Sequence, residues 1–171
     1  MARLLHDSLL HRDGSGTQRG RIALLVDGQP YSYGQLADAS RRLAWTFQSL
    51  GVRRGDRVAL FLDNSWPCVV SIYATFITGA AIVLINPQTK EEKLEFILRD
   101  SSPRVLVSAD YLAHVFSTSV NRLDSALAII CSGSPSRDAG IHNFECAIAS
   151  DRPLAQEAAS IPLVLAAILY T

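Results

Sequence analysis

The feature that most constrains the fold of this chain is an alternation of short apolar runs with amphipathic segments. Runs typical of strands lie at 22–26, 57–62, 80–85, 104–107, 126–130 and 161–170. Between them, apolar residues recur every three or four positions, which is typical of helices, at 32–50, 66–78 and 90–99. This rhythm produces βαβ units, whose strands run parallel. The sequence therefore predicts an α/β fold with a mostly parallel sheet and helices on both faces.

Turn and cap residues support these boundaries. Asp27-Gly28 has the composition of a tight hairpin turn after the first strand. Ser32 and Gln35 have the spacing of a capping box, in which each side chain satisfies a backbone N–H of the other residue. Thr89 and Glu92 repeat that spacing, so we expect a second capping box at the start of the 90–99 helix.

Composition excludes several classes of protein. With 16 Lys plus Arg and 16 Asp plus Glu, the chain of 171 residues has a formal net charge of zero. A nucleic-acid-binding surface is therefore not expected, because it needs an excess of cations. Hydrophobic residues make up 49%, enough for a packed core. We expect residues 1–20 to form an N-terminal helix and loop, and 21–171 to form the α/β unit.

Membrane insertion and secretion are also unfavourable. Residues 69–85 carry no charge, but they are fewer than the roughly 20 that a spanning helix needs, and Thr78-Gly79 divides them. One continuous helix over 69–85 is the alternative. No apolar signal core follows the charged N-terminus, and the three cysteines, Cys68, Cys131 and Cys146, are widely spaced. We therefore expect a cytoplasmic protein without a transmembrane segment.

Sequence patterns for catalysis or metal binding are missing. The histidines at 6, 11, 114 and 142 form no HxxxH or HExxH pattern, and no serine lies in a GxSxG motif. The glycine-rich stretch 14–20 lacks the GK[ST] ending of a phosphate-binding loop. Cys68 lies in an apolar helical segment and is interpreted as core packing. We therefore expect no catalytic residue and no metal site in these 171 residues.

Four segments in order carry a resemblance to a known family. They are QPYSYGQL at 29–36, LGVRRGDRVAL at 50–60, Asn64-Ser65 with FITGA at 76–80 and LINP at 84–87, and LEFILRDS at 94–101 with RVLV at 104–107. Together they resemble the N-terminal region of the adenylate-forming superfamily of AMP-dependent ligases. That superfamily includes acyl- and aryl-CoA synthetases, luciferases and peptide-synthetase adenylation domains. Thr78 departs from the family, which often has Lys or Ala at this position.

The resemblance implies a reaction for the complete enzyme. It would use ATP and Mg²⁺ to activate a carboxylic acid as acyl-AMP, and would then form an acyl thioester with CoA or a carrier protein. Residues 165–171 resemble the strand that leads into the family's phosphate loop, YTSGTTGxPKG, so Thr171 is the one implied cofactor-binding residue. The rest of that loop is not among the 171 residues. We therefore expect a fragment that is truncated before the loop, inactive alone and without a cofactor of its own.

Two alternatives stay open at this point. The chain could be a standalone, non-catalytic binding or regulatory domain with the same α/β fold. It could also be an unrelated α/β protein with chance matches.

Overall fold

A computed structural model describes residues 19–123, 127–133, 140–149, 151, 153–155 and 166–170. The strands are β1 (Ile22–Val26), β2 (Gln29–Ser32), β3 (Arg57–Phe61), β4 (Ala81–Ile85), β5 (Val105–Ala109), β6 (Ala128–Ser132), β7 (Ile141–Asn143) and β8 (Ala167–Leu169). The helices are α1 (Tyr33–Ser49), α2 (Trp66–Thr78), α3 (Glu91–Ser101), α4 (Ala113–Asn121) and the short α5 (Phe144–Ala147), with a 3-10 turn at Asp110–Leu112.

Six of these strands form one sheet. Their order is β7-β6-β5-β3-β4-β8, and every neighbouring pair is parallel. β1 and β2 form a separate antiparallel hairpin. The predicted strands at 57–62, 80–85, 104–107 and 126–130 all belong to the parallel sheet, which confirms the α/β fold class.

Two apolar cores cover the two faces of the sheet. Residues of β3 alternate between them: Val58 and Leu60 lie in the core beneath α1 and α2, whereas Ala59 and Phe61 lie in the core beneath α3 and α4. Because its central strands are buried on both faces, the sheet needs continuous apolar runs rather than alternating ones. The prediction of helices on both faces is confirmed.

Local chemistry sets the ends of the first two long helices. Ser32 Oγ accepts a hydrogen bond from the Gln35 N–H at 3.2 Å, and Gln35 Oε1 accepts one from the Ser32 N–H at 2.8 Å. This is the predicted capping box of α1. Ser65 caps α2, which ends at Gly79 with a φ of 71°. Glycine adopts this left-handed conformation without a steric penalty, so α2 stops there and β4 follows.

The second predicted capping box is wrong. Lys90 occupies the N-cap of α3 and makes no side-chain cap hydrogen bond. The preceding chain is organised by Asn86 instead: its Oδ1 accepts from the Gln88 N–H at 2.8 Å, and its carbonyl accepts from the Thr89 N–H at 2.9 Å. Thr89 therefore belongs to the turn that starts at Asn86-Pro87, and α3 begins after it, with Lys90 as its N-cap.

Other boundaries differ from the sequence prediction. β5 runs to Ala109, beyond the predicted strand at 104–107, and is followed by the 3-10 turn and α4. β7, which is not among the predicted strands, pairs with β6. Of the strand-like run 161–170, residues 166–170 are described and β8 occupies three of them, Ala167–Leu169.

Residues 69–85 do not form one helix. They are divided between α2 and β4, so the alternative of a continuous apolar helix is wrong. Within the described ranges, no helix combines the length and apolar character that a bilayer-crossing segment requires.

Candidate functional site

The carboxyl ends of the six parallel strands all lie along the same side of the sheet. In open α/β sheets, ligands bind just outside these strand ends. The connections that leave β3 and β5 pass to opposite faces, through α2 and α4. The boundary between these two strands is therefore the topological switch point. A second opening lies further along the same edge, where β4 and β8 end.

The switch point is bridged by side chains. The Tyr111 hydroxyl, which follows β5, donates to Asp63 Oδ2, which follows β3, at 2.5 Å. Partial burial and the bond to Asp63 raise the pKa of Tyr111. Nearby, a Cβ added to Gly133 would lie 2.5 Å from the Asp110 carboxyl carbon, so Asp110 packs directly on this glycine. Two carboxylates at this position make it unfavourable for a phosphate.

The opening beside β4 and β8 has the opposite character. It is a cleft of about 540 Å³ lined by Leu84, Ile85, Asn86, Gln88, Thr89, Lys90, Lys93, Ile97 and Tyr170. Lys90 and Lys93 are the only two lysines in the sequence. The combination of amide, hydroxyl and ammonium groups with aliphatic side chains suits a ligand with both phosphate and apolar parts.

The backbone after β4 places the two lysines. Asn86 and Pro87 end the strand, and the bonds of Asn86 to the next residues fold the chain into a turn. Lys90 then precedes α3 and Lys93 lies in its first turn, one helical turn apart. Glu91 and Glu92 lie in the same turn, so the positive charge of the cleft comes from side-chain placement rather than from a basic segment.

Tyr170 also lines the cleft. Its hydroxyl donates to Asp100 Oδ2 at 2.6 Å, which links the end of β8 to the last turn of α3. Partial burial and the Asp100 carboxylate raise the pKa of Tyr170. Tyr170 and Ile168 both pack against the core on the α3 side of the sheet.

A second cleft lies between α1 and the β7–α5 segment. It measures about 450 Å³ and is lined by Trp45, Thr46, Ser49, Leu50, Ile141, His142, Asn143, Cys146 and Ala147. No lysine or arginine is among these described residues, so this cleft offers a phosphate less than the β4–β8 cleft does.

The candidate residues named from the sequence lie in different parts of the chain, some of them outside the described residues. Thr171, the implied cofactor-binding residue, lies outside the described residues, as do His6 and His11. In the part of the chain that the structure describes, no group of His, Cys, Asp and Glu is arranged to hold a metal. Cys68 is buried in the α1–α2 core, and burial raises the pKa of its thiol. Sequence reasoning missed Lys90 and Lys93; their rarity in the chain was the available signal.

Parts of this chain are similar in sequence to characterised proteins. A 92-residue stretch is 32% identical to the long-chain-fatty-acid–CoA ligase of Bacillus subtilis (strain 168), covering 54% of this chain and 16% of that one. A 90-residue stretch is 33% identical to N-(5-amino-5-carboxypentanoyl)-L-cysteinyl-D-valine synthase of Penicillium rubens, covering 53% of this chain and 2% of the synthase. The chain therefore spans less than a fifth of either relative.

The fold has close counterparts among solved structures. The anthranilate CoA ligase AuaEII, solved in complex with anthranoyl-AMP, superposes with a TM-score of 0.87 at 23% identity, over 96% of this chain and 31% of that chain. A benzoate CoA ligase from Burkholderia xenovorans LB400 gives a TM-score of 0.80 at 21% identity, over 93% and 31%. At this identity the likeness concerns the fold. The family model of AMP-binding enzymes matches residues 11–171, and the chain belongs to that family of adenylate-forming ligases.

Proposed function

We propose that this chain is the N-terminal portion of an ATP-dependent, carboxylate-activating ligase. In the proposed reaction, the complete enzyme joins a carboxylic acid to ATP, forming acyl-AMP and releasing pyrophosphate. The acyl group then passes to the thiol of CoA or of a carrier protein, and AMP leaves. Mg²⁺ bound with ATP would supply positive charge at the phosphate groups. The family membership and the small share of the relatives that the chain spans support this proposal.

One observation carries the proposal at the level of residues. β8 lies parallel to β4, with Leu84 opposite Leu169. The chain therefore leaves the sheet beside the β4–β8 cleft, which we call the lysine-lined cleft because Lys90 and Lys93 line it. In the family, this strand leads into the phosphate loop, and Thr171 is the first position of that loop in our proposal. Lys90 and Lys93 fit the phosphate groups that both ATP and CoA carry.

The proposed role of this portion is to form one wall of the active site. No catalytic residue is assigned to it, and we expect the portion alone to be inactive and to hold no cofactor of its own. Residues 1–20 are proposed as an N-terminal helix and loop and 21–171 as the α/β unit of a cytoplasmic enzyme.

An exposed apolar patch fits a continuing chain. On the face of the sheet opposite α3, Leu84 is 37% exposed and Leu169 is 69% exposed. They are neighbours in the β4–β8 pairing, so they form a continuous apolar surface beside the cleft. We expect the remainder of the enzyme to pack here, because water contact with this patch is unfavourable.

The lysine cleft can be tested in the two half-reactions of a protein that continues past Thr171. ATP–pyrophosphate exchange needs no thiol, whereas thioester formation requires CoA or a carrier protein. We expect the double variant K90Q/K93Q to raise KM for the reactant whose phosphates the lysines bind: ATP in the first assay, or CoA in the second. R53Q/R54Q, which removes two exposed cations from the turn before β3, is the matched control. Unchanged KM values for both reactants would contradict the assignment of the cleft.

A further inference from the structure

Among the described residues, β8 pairs with one strand, β4. It is three residues long, lies at the end of the strand order and pairs with β4 through Ala167, Ile168 and Leu169. On one face Leu169 is 69% exposed. Short edge strands with little burial open locally more readily than central strands do. The interactions on its other face therefore decide how firmly β8 is held.

On that other face, β8 contacts α3 through Ile168 and Tyr170. Ile168 supplies apolar packing, and the Tyr170 hydroxyl donates to Asp100 at 2.6 Å. A hydrogen bond to a carboxylate is stronger than one between neutral groups. Tyr170 lies immediately after the last residue of β8, so this bond acts where the chain leaves the sheet.

Asp100 lies at an unfavourable position in its own helix. Asp100 lies in the last turn of α3, where the helix dipole is unfavourable for a carboxylate. A residue that disfavours its own helix is expected where another interaction offsets that cost. In the described part of the chain, the Tyr170 hydroxyl supplies that interaction.

We propose that Tyr170 is a positioning residue, which Asp100 holds so that the end of β8 stays fixed against α3 at the mouth of the lysine-lined cleft. The inference rests on the proposed function, in which β8 leads into the phosphate loop. α3 carries Lys93 near its start and Asp100 near its end. One helix therefore fixes both the cationic wall of the cleft and the strand that delivers the loop. Loss of the hydroxyl frees the strand and leaves the lysines in place.

Hydrogen–deuterium exchange of the β8 backbone amides in the 171-residue chain tests the positioning without any need for activity. Removing the bond in Y170F or D100A is expected to increase β8 exchange about tenfold. D100N is expected to give a smaller increase than D100A, because the amide oxygen still accepts from the hydroxyl although the bond has lost its charge.

Tyr111 provides a matched control. Y111F removes the same kind of bond, from a tyrosine hydroxyl to the Asp63 carboxylate at 2.5 Å, but at the switch point. It is expected to leave β8 exchange unchanged. Wild-type exchange rates in both Y170F and D100A, or equal acceleration in Y111F, would overturn the proposal.

A kinetic readout separates this inference from the proposed function. In the protein extended past Thr171, Y170F is expected to lower kcat of ATP–pyrophosphate exchange about tenfold with KM for the acid unchanged, because a misplaced loop impairs the transition state more than acid binding. An unchanged kcat would overturn the positioning role. An extended wild-type protein without activity would instead count against the proposed function, and the exchange of the β8 amides would still decide whether Tyr170 and Asp100 hold the strand.

Discussion

At the scale of single residues, two sites with the same sequence spacing behave differently. Ser32 makes both bonds of its capping box with Gln35, whereas Thr89 makes none with Glu92 because the Asn86 turn precedes it. We expect Ser32→Ala to lower the free energy of unfolding by about 1 kcal/mol. Thr89→Ala is the control and should change it by less than half as much. Urea unfolding measures both, and equal losses would contradict the assigned caps.

Arg57 joins the central strand to the end of α3. Its Nε donates to the Ser101 carbonyl at 2.7 Å and its Nη2 to the Ser102 carbonyl at 2.8 Å. Lysine cannot reproduce this pair of bonds, so Arg57→Lys is expected to cost about 1–2 kcal/mol of unfolding free energy. Arg54→Lys, at an exposed turn position, should cost almost nothing. If Arg57→Lys lowered the unfolding free energy no more than Arg54→Lys does, the two hydrogen bonds of the Arg57 guanidinium would contribute no stability.

The cysteines differ in their expected reactivity. Burial, with added repulsion from Asp110 and Glu145, raises the pKa of Cys131 to about 11, so its thiol stays protonated near neutral pH. Cys146 is exposed. Because the thiolate is the reactive form, iodoacetamide at pH 8 should label Cys146 in the folded protein well before Cys131. Peptide mass spectrometry reads the order, and faster labelling of Cys131 would contradict the described burial.

The same shift predicts a pH dependence of stability. The pKa of Cys131 lies above the ordinary thiol value of 9.0, so the folded chain holds this proton more tightly than the unfolded chain does. Its contribution is therefore complete below about pH 9 and is lost as the pH rises from about 9 to about 11. Cys131→Ser should flatten the fall in unfolding free energy over that range, as measured by urea unfolding at each pH. An equally steep fall in the variant would contradict this.

At the scale of elements, periodicity and cap chemistry predict most helices and strands, because each depends on residues near one another in the chain. β3, β4, α1 and α2 follow this rule. The strand order and the cleft, in contrast, depend on residues that are far apart in the chain. Tyr170 and Lys93 line the same cleft because β8 pairs with β4. No local sequence pattern encodes that pairing. The lysines were therefore missed even though the elements carrying them were predicted.

The two faces of β8 give an element-scale prediction. Ile168 packs against the core on the α3 side, whereas its neighbour Leu169 is 69% exposed. Ile168→Lys places a charge in an apolar core and should release β8, giving amide exchange close to that of an unfolded peptide. Leu169→Lys should leave exchange near the wild-type rate. The reverse order would show that the strand faces the other way.

At the scale of the whole molecule, the fold and the family are established, whereas activity is proposed. The superposition on the anthranilate CoA ligase includes 96% of this chain but only 31% of that enzyme. Its two cores pack on both sides of a sheet whose β4–β8 end remains partly uncovered among the described residues. These features together suit one part of a larger catalytic unit.

Carboxylate-dependent ATP–pyrophosphate exchange tests this central claim most directly. The assay compares the 171-residue chain with the protein that includes whatever follows Thr171 in its gene, over a panel of aliphatic, aromatic and amino acids. We predict exchange with at least one acid for the longer protein and none above the no-acid background for the 171-residue chain. Exchange by the 171-residue chain alone, a gene that ends at Thr171, or a folded longer protein inert towards every acid would contradict the account.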